Sequence, residues 1–63
     1  MTIHERAVTL PQMIGACMGR SALLSALAEL GVSPIGALHV IHTSVRLGLI
    51  RYVRRTDAYV PCS

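Results

Sequence analysis

Apolar residues recur along the first part of the chain at the three- and four-residue spacing of helices. Near the end they switch to the two-residue alternation of strands. Leu10, Met13, Ile14 and Cys17 stand at i, i+3, i+4 and i+7 and share one helical face. Thr9 is placed to cap that helix, Pro11 would fall in its first turn, and Gly19 is a stop signal. The first eight residues read two ways. Thr2 and Glu5 have the spacing of a capping box, which would open a helix, whereas Arg6 to Leu10 suits a short strand or an ordered lead-in.

Ser21 is the next capping candidate, and Leu23, Ala26, Leu27 and Leu30 repeat the helical spacing up to Gly31. Ser33 then caps a third helix with Pro34 at its first position. That helix is predicted from Pro34 to about Leu47, with Leu38, Ile41 and Val45 as one apolar stripe and Ala37, Val40, Ser44 and Leu47 flanking it. Its remaining strip is His39, His42, Thr43 and Arg46, a narrow basic edge. Gly48 ends the helix. Leu49 to Arg54 reads as a strand, Arg55-Thr56-Asp57 as a turn, and Ala58 to Pro61 as the returning strand. Leu10, Ile14, Leu23, Leu27, Leu30, Ile41 and Val45 are the expected core. The expected fold is therefore mainly α, a three-helix core followed by a two-stranded β-hairpin, in one domain spanning residues 1–63.

Length and composition sharpen this picture. A chain of 63 residues forms one small domain, and such domains bury only about 60% of the surface their unfolded chains expose. An apolar fraction of 52% exceeds what one small core can hide, which points to a homodimer or a docked partner. Every basic side chain apart from histidine is arginine, and Arg46, Arg51, Arg54 and Arg55 fall close together with only Asp57 beside them. Such a local excess suits a polyanion or an acidic surface. A solvated hairpin tip that prevents edge-to-edge association is the plainer reading of Arg51, Arg54 and Arg55.

Cys17 and Cys62 make no disulfide framework and read as free thiols, Cys17 as a small buried hydrophobe. Ile14-Gly15-Ala16-Cys17 has the look of a lipoprotein cleavage motif, but Glu5 and Pro11 interrupt the signal such a leader requires. No apolar run reaches the ~18 residues of a membrane span. His39 and His42 have an i, i+3 spacing that could begin a metal site, yet His4, the two cysteines and three acids are scattered, so no metal is expected. Glu5, Glu29 and Asp57 are isolated acids without a partner, and no phosphate-cradling glycine loop is present. The chain is expected to be neither an enzyme nor the holder of a cofactor.

Leu30-Gly31-Val32-Ser33-Pro34 resembles the turn and third-helix start of the winged helix-turn-helix family. Leu47-Gly48-Leu49-Ile50 resembles that family's passage into the wing. The resemblance covers roughly residues 21–61. It implies a helix lying in the major groove and a hairpin touching the DNA backbone. The positions that would meet bases are Ile35, Gly36, Leu38 and His39, and only the last carries a hydrogen-bonding side chain. Leu27 also stands where the family favours a small residue. Another register places Gly15 and Gly19 in the turn, with Arg20, Ser21, Ser25 and Glu29 on the recognition helix, but it leaves the hairpin unexplained. The resemblance implies a small, cytoplasmic, phage- or plasmid-like DNA-binding transcriptional regulator, homodimeric on duplex DNA. His39, His42, Thr43, Arg46, Arg51, Arg54 and Arg55 would make its nucleic-acid contacts. The alternative is a protein-binding inhibitor or anti-defence module on the same scaffold, using Ile35, Val40, Leu47 and Tyr52.

Overall fold

The computed structural model describes residues 2–62. Its elements run α1 (Ile3–Ile14), β1 (Met18–Gly19), α2 (Arg20–Glu29), α3 (Pro34–Arg46), β2 (Ile50–Val53) and β3 (Ala58–Pro61). Three helices thus stand with a small antiparallel sheet in a mixed α/β fold.

The capping box at the start of the chain is formed. The Thr2 hydroxyl accepts from the Glu5 N–H at 3.1 Å, and the Glu5 carboxylate accepts from the Thr2 N–H at 3.3 Å. Helix α1 therefore begins at Ile3, not at Thr9 behind a lead-in. Thr9 lies inside it and donates its hydroxyl to the Arg6 carbonyl at 3.0 Å. Pro11 consequently falls in the helix interior, where its missing N–H leaves the Ala7 carbonyl without its helical donor. The Ser44 hydroxyl of α3 supplies the replacement at 3.0 Å, in a buried contact that ties the two helices together. The helix stops at Gly15, four residues before the expected Gly19, because Gly15 adopts φ 68°.

Helix α2 starts at Arg20 with Gly19 as its cap, and no side chain caps it, so Ser21 does not have the capping role expected of it. Its end is closed by the Gly31 N–H on the Ala28 carbonyl and the Val32 N–H on the Leu27 carbonyl, with Gly31 at φ 83°. Ser33 caps α3 as expected, accepting from the Gly36 N–H at 3.1 Å, with Pro34 in the first turn. The axes of α2 and α3 lie at 118°, the steep crossing of two helices joined by a short turn.

The sheet has three strands in the order β1-β3-β2, where a two-stranded hairpin was expected. The addition is β1, with Met18 opposite Tyr59 and Gly19 opposite Ala58. Two residues are too few to carry a readable alternation, and β1 exists only because β3 offers a free edge. On the other edge Ile50, Arg51, Tyr52 and Val53 face Pro61, Val60, Tyr59 and Ala58.

The core gathers Leu10 and Ile14 from α1, Leu23 and Leu27 from α2, Ala37, Val40 and Ile41 from α3, and Ile50 from β2. Four of the expected core positions on α1 and α2 and Ile41 on α3 are buried, but Leu30 is 51% and Val45 41% exposed. The buried stripe of α3 is Ala37, Val40, Ile41 and Ser44, rotated from the expected Leu38, Ile41 and Val45. The close Ala7–Ser44 contact explains the rotation, since it turns the small side chains of α3 toward α1. Val40 is buried in the protomer and is not the exposed contact it was expected to be. Cys17 lies beyond α1 and is exposed, as is Cys62. Among the described residues, no single helix is long and apolar enough to cross a membrane.

Candidate nucleic-acid interface

Helix α3 presents two kinds of side chain to solvent. Its basic edge is intact: His39, His42 and Arg46 are exposed, and Thr43 between them is half-buried. Beside this edge stand Ile35, Leu38 and Val45, with Ile35 69% exposed. The solvent face is thus apolar in its first turns and basic in its last.

The hairpin turn comprises residues 54–57, so Arg54 and Arg55 both sit at the tip and both are exposed. Asp57 closes the turn at φ 51°, a left-handed conformation that aspartate tolerates better than most residues. Its N–H donates to the Arg54 carbonyl at 3.3 Å. Its carboxylate accepts from the Tyr52 hydroxyl at 2.5 Å. This hydrogen bond, followed by desolvation and the charge of Asp57, holds the Tyr52 phenol above its usual range, while the nearby Arg20 charge acts in the opposite sense.

Arg20 was not among the residues expected at this face. It opens α2, and its backbone N–H donates to the Asp57 carbonyl at 3.0 Å, which fastens the start of α2 to the hairpin turn. No local spacing announces this pairing, because it joins segments far apart along the chain. Around Tyr52 the fold brings together Arg20, His42 and Arg46, and the turn bearing Arg54 and Arg55 follows directly. Arg51 is exposed but alternates with Tyr52 along β2, so it points away from α3 and does not extend the same surface. Leu47 is exposed at the far end of α3.

Two depressions flank α3. One lies between α2 and α3, about 380 Å³, lined by Arg20, Leu24, Ala28, Val32, Pro34, Ala37 and Leu38. The other lies between α3 and the sheet, about 290 Å³, lined by Ile41, His42, Val45, Arg46, Tyr52 and Tyr59. Its two tyrosine rings pack with centroids 5.2 Å apart at a tilt of 53°. Among the described residues, no group of three or more histidine, cysteine or acidic side chains is arranged to hold a metal ion. No arginine guanidinium donates a hydrogen bond within the described residues, so these cations stay available to an external anion.

Comparison of the chain with protein-family models, with curated proteins and with solved structures returns no match.

Proposed function

We propose that this chain is a winged-helix module that binds duplex DNA and acts as a small transcriptional regulator in the cytoplasm. The observation that carries the reading is the gathering of Arg20, His42 and Arg46 about Tyr52, whose hydroxyl is tied through Asp57 to the turn that bears the exposed Arg54 and Arg55. The steep α2–α3 angle of a helix-turn-helix supports it, and α3 keeps a solvent face bearing His39, His42 and Arg46 that can lie along a groove. In this reading α3 enters the major groove and the arginine turn neutralises phosphates. His39 is the single hydrogen-bonding side chain near the start of α3, so phosphates dominate affinity and base discrimination is weak. The exposed apolar side chains Ile35 and Leu47 favour association of two protomers on a two-fold site.

The test is fluorescence anisotropy with random-sequence duplex DNA across a salt series. Phosphate binding lowers log K linearly with log salt, by about 0.9 per neutralised phosphate. Absence of binding at low salt would refute the DNA reading.

A second reading, a protein-docking inhibitor, draws support from the mostly apolar depression between α2 and α3 and from the exposed Ile35 in the first turn of α3. It predicts that Ile35→Glu abolishes the biological effect while loss of Arg54 and Arg55 leaves it intact.

A further inference from the structure

The depression between α3 and the sheet has a composition that neither a plain phosphate contact nor a core contact requires. One wall is aliphatic, from Ile41 and Val45 of α3. The opposite wall is aromatic, from Tyr52 of β2 and Tyr59 of β3, which are cross-strand partners. His42 and Arg46 complete the lining and are exposed. No carboxylate lines it, and the nearest acid, Asp57, accepts the Tyr52 hydroxyl. That hydrogen bond fixes the Tyr52 ring at one end, and the Tyr59 ring supports it from the side. Tyr52 nevertheless keeps 40% of its surface open.

A fixed, half-open aromatic face opposite an aliphatic wall accepts a flat, weakly polar body. A guanidinium at the rim accepts an anion attached to that body. The volume, about 290 Å³, lies at the low end of ligand sites, room for one such body and little more. Bases inside a duplex keep their ring faces stacked on one another and cannot offer them to a side chain. An unstacked base can, and stacking on tyrosine is indifferent to its identity.

We propose that this cleft binds a single unstacked nucleotide, its base against Tyr52 and Val45 and its phosphate on Arg46. The inference rests on the polyanion reading of the same face, and it names the unit of the polyanion that the face holds. The nucleotide has two possible sources, a free mononucleotide or an unpaired position in a DNA strand.

Titration of the full chain with deoxyadenosine 5′-monophosphate, followed by NMR, tests the proposal. Saturable shifts of Val45, Tyr52 and Tyr59 are expected. Deoxyadenosine without phosphate and inorganic phosphate alone should each bind about tenfold more weakly, the loss expected for one charge-assisted contact or one stacked base. Arg46→Gln and Tyr52→Leu should each weaken binding by a similar factor, and Tyr52→Phe, which keeps the ring and loses only the bond to Asp57, should weaken it less than Tyr52→Leu. Val45→Glu, at an exposed helix position, is the companion variant should Tyr52→Leu unfold, and it should repel the phosphate. Single-stranded oligonucleotides with and without one abasic site distinguish the sources. Tighter binding of the intact strand than of the mononucleotide, lost at the abasic site, assigns the cleft to an unpaired DNA position. Equal binding of strand and mononucleotide assigns it to the free molecule.

Shifts that inorganic phosphate reproduces in full, or none at millimolar nucleotide, would overturn the proposal. Random duplex binding measured on the same sample separates the two readings. Duplex binding without nucleotide binding removes only the cleft. Nucleotide binding without duplex binding removes only the duplex reading.

Discussion

Ser44 of α3 donates its hydroxyl to the backbone carbonyl of Ala7 in α1, the acceptor that Pro11 leaves without a helical N–H. One side chain thus repairs the break in one helix while fastening it to another. Ser44→Ala should strand that carbonyl in a buried site and destabilise the fold by about 1–3 kcal/mol. Pro11→Ala restores the helical donor, so Ser44→Ala should cost less in that background. Urea denaturation of the two single variants and the double variant measures the coupling, and additive losses would disprove this account of Pro11.

Helix phase separates residues that composition treats alike. Leu27→Ala and Ile41→Ala, at fully buried sites, should each cost about 2–5 kcal/mol. Leu30→Ala and Val45→Ala, at exposed sites, should stay within about 1 kcal/mol of the parent. Thermal melts of the four variants check the contrast, and a large loss at Val45 would restore the α3 phase expected from the sequence.

For DNA binding, Arg54→Ala with Arg55→Ala should weaken affinity for all duplex sequences about equally. The salt slope should fall by about one unit per lost phosphate contact. Thermal stability should hold, because both side chains are exposed. Arg20→Ala should add to the loss, whereas Arg51→Ala should not, since Arg51 faces away from α3. An Arg51 effect equal to that of Arg54 would place the contact surface elsewhere on the hairpin.

Two ionisable groups give the fold a pH signature with opposite signs. The Thr2 backbone N–H, then the Thr2 hydroxyl, lower the Glu5 carboxyl below its ordinary value of 4.5. A lowered carboxyl stabilises the fold above the unfolded value and loses that contribution as pH falls through the folded one. Helicity by circular dichroism should therefore decline below pH 4.5 in the parent, by a component that Glu5→Ala lacks. The Tyr52 phenol is raised above 10.0, chiefly by its hydrogen bond to Asp57, so its contribution holds below that value and disappears as pH climbs past the folded one. The tyrosinate absorbance that Tyr52→Phe removes should have its midpoint above 10.0. A midpoint below it would mean that the hydrogen bond is absent in solution.

The chain by itself determined the parts whose physics is local. Thr2 with Glu5, Ser33 with Pro34, and Gly31 and Gly48 at positive φ mark helix ends through contacts within a few residues, and the turn before Ala58 is equally local. The basic edge of α3 is legible for the same reason, because four polar residues at helical spacing must share a side. Tertiary structure decided the rest. Pro11 reads as a first-turn residue until a hydroxyl from another helix makes an interior proline affordable. Met18–Gly19 becomes a strand only against β3. The rotation of α3 was undetermined because apolar residues surround most of its circumference, so periodicity could not choose which stripe to bury. Contact with Ala7 made that choice. Arg20 joins the candidate site, and Arg51 leaves it, through the pairing of α2 with the hairpin turn and through strand alternation about Tyr52. These contacts join distant segments, and no pattern of neighbours along a chain encodes them.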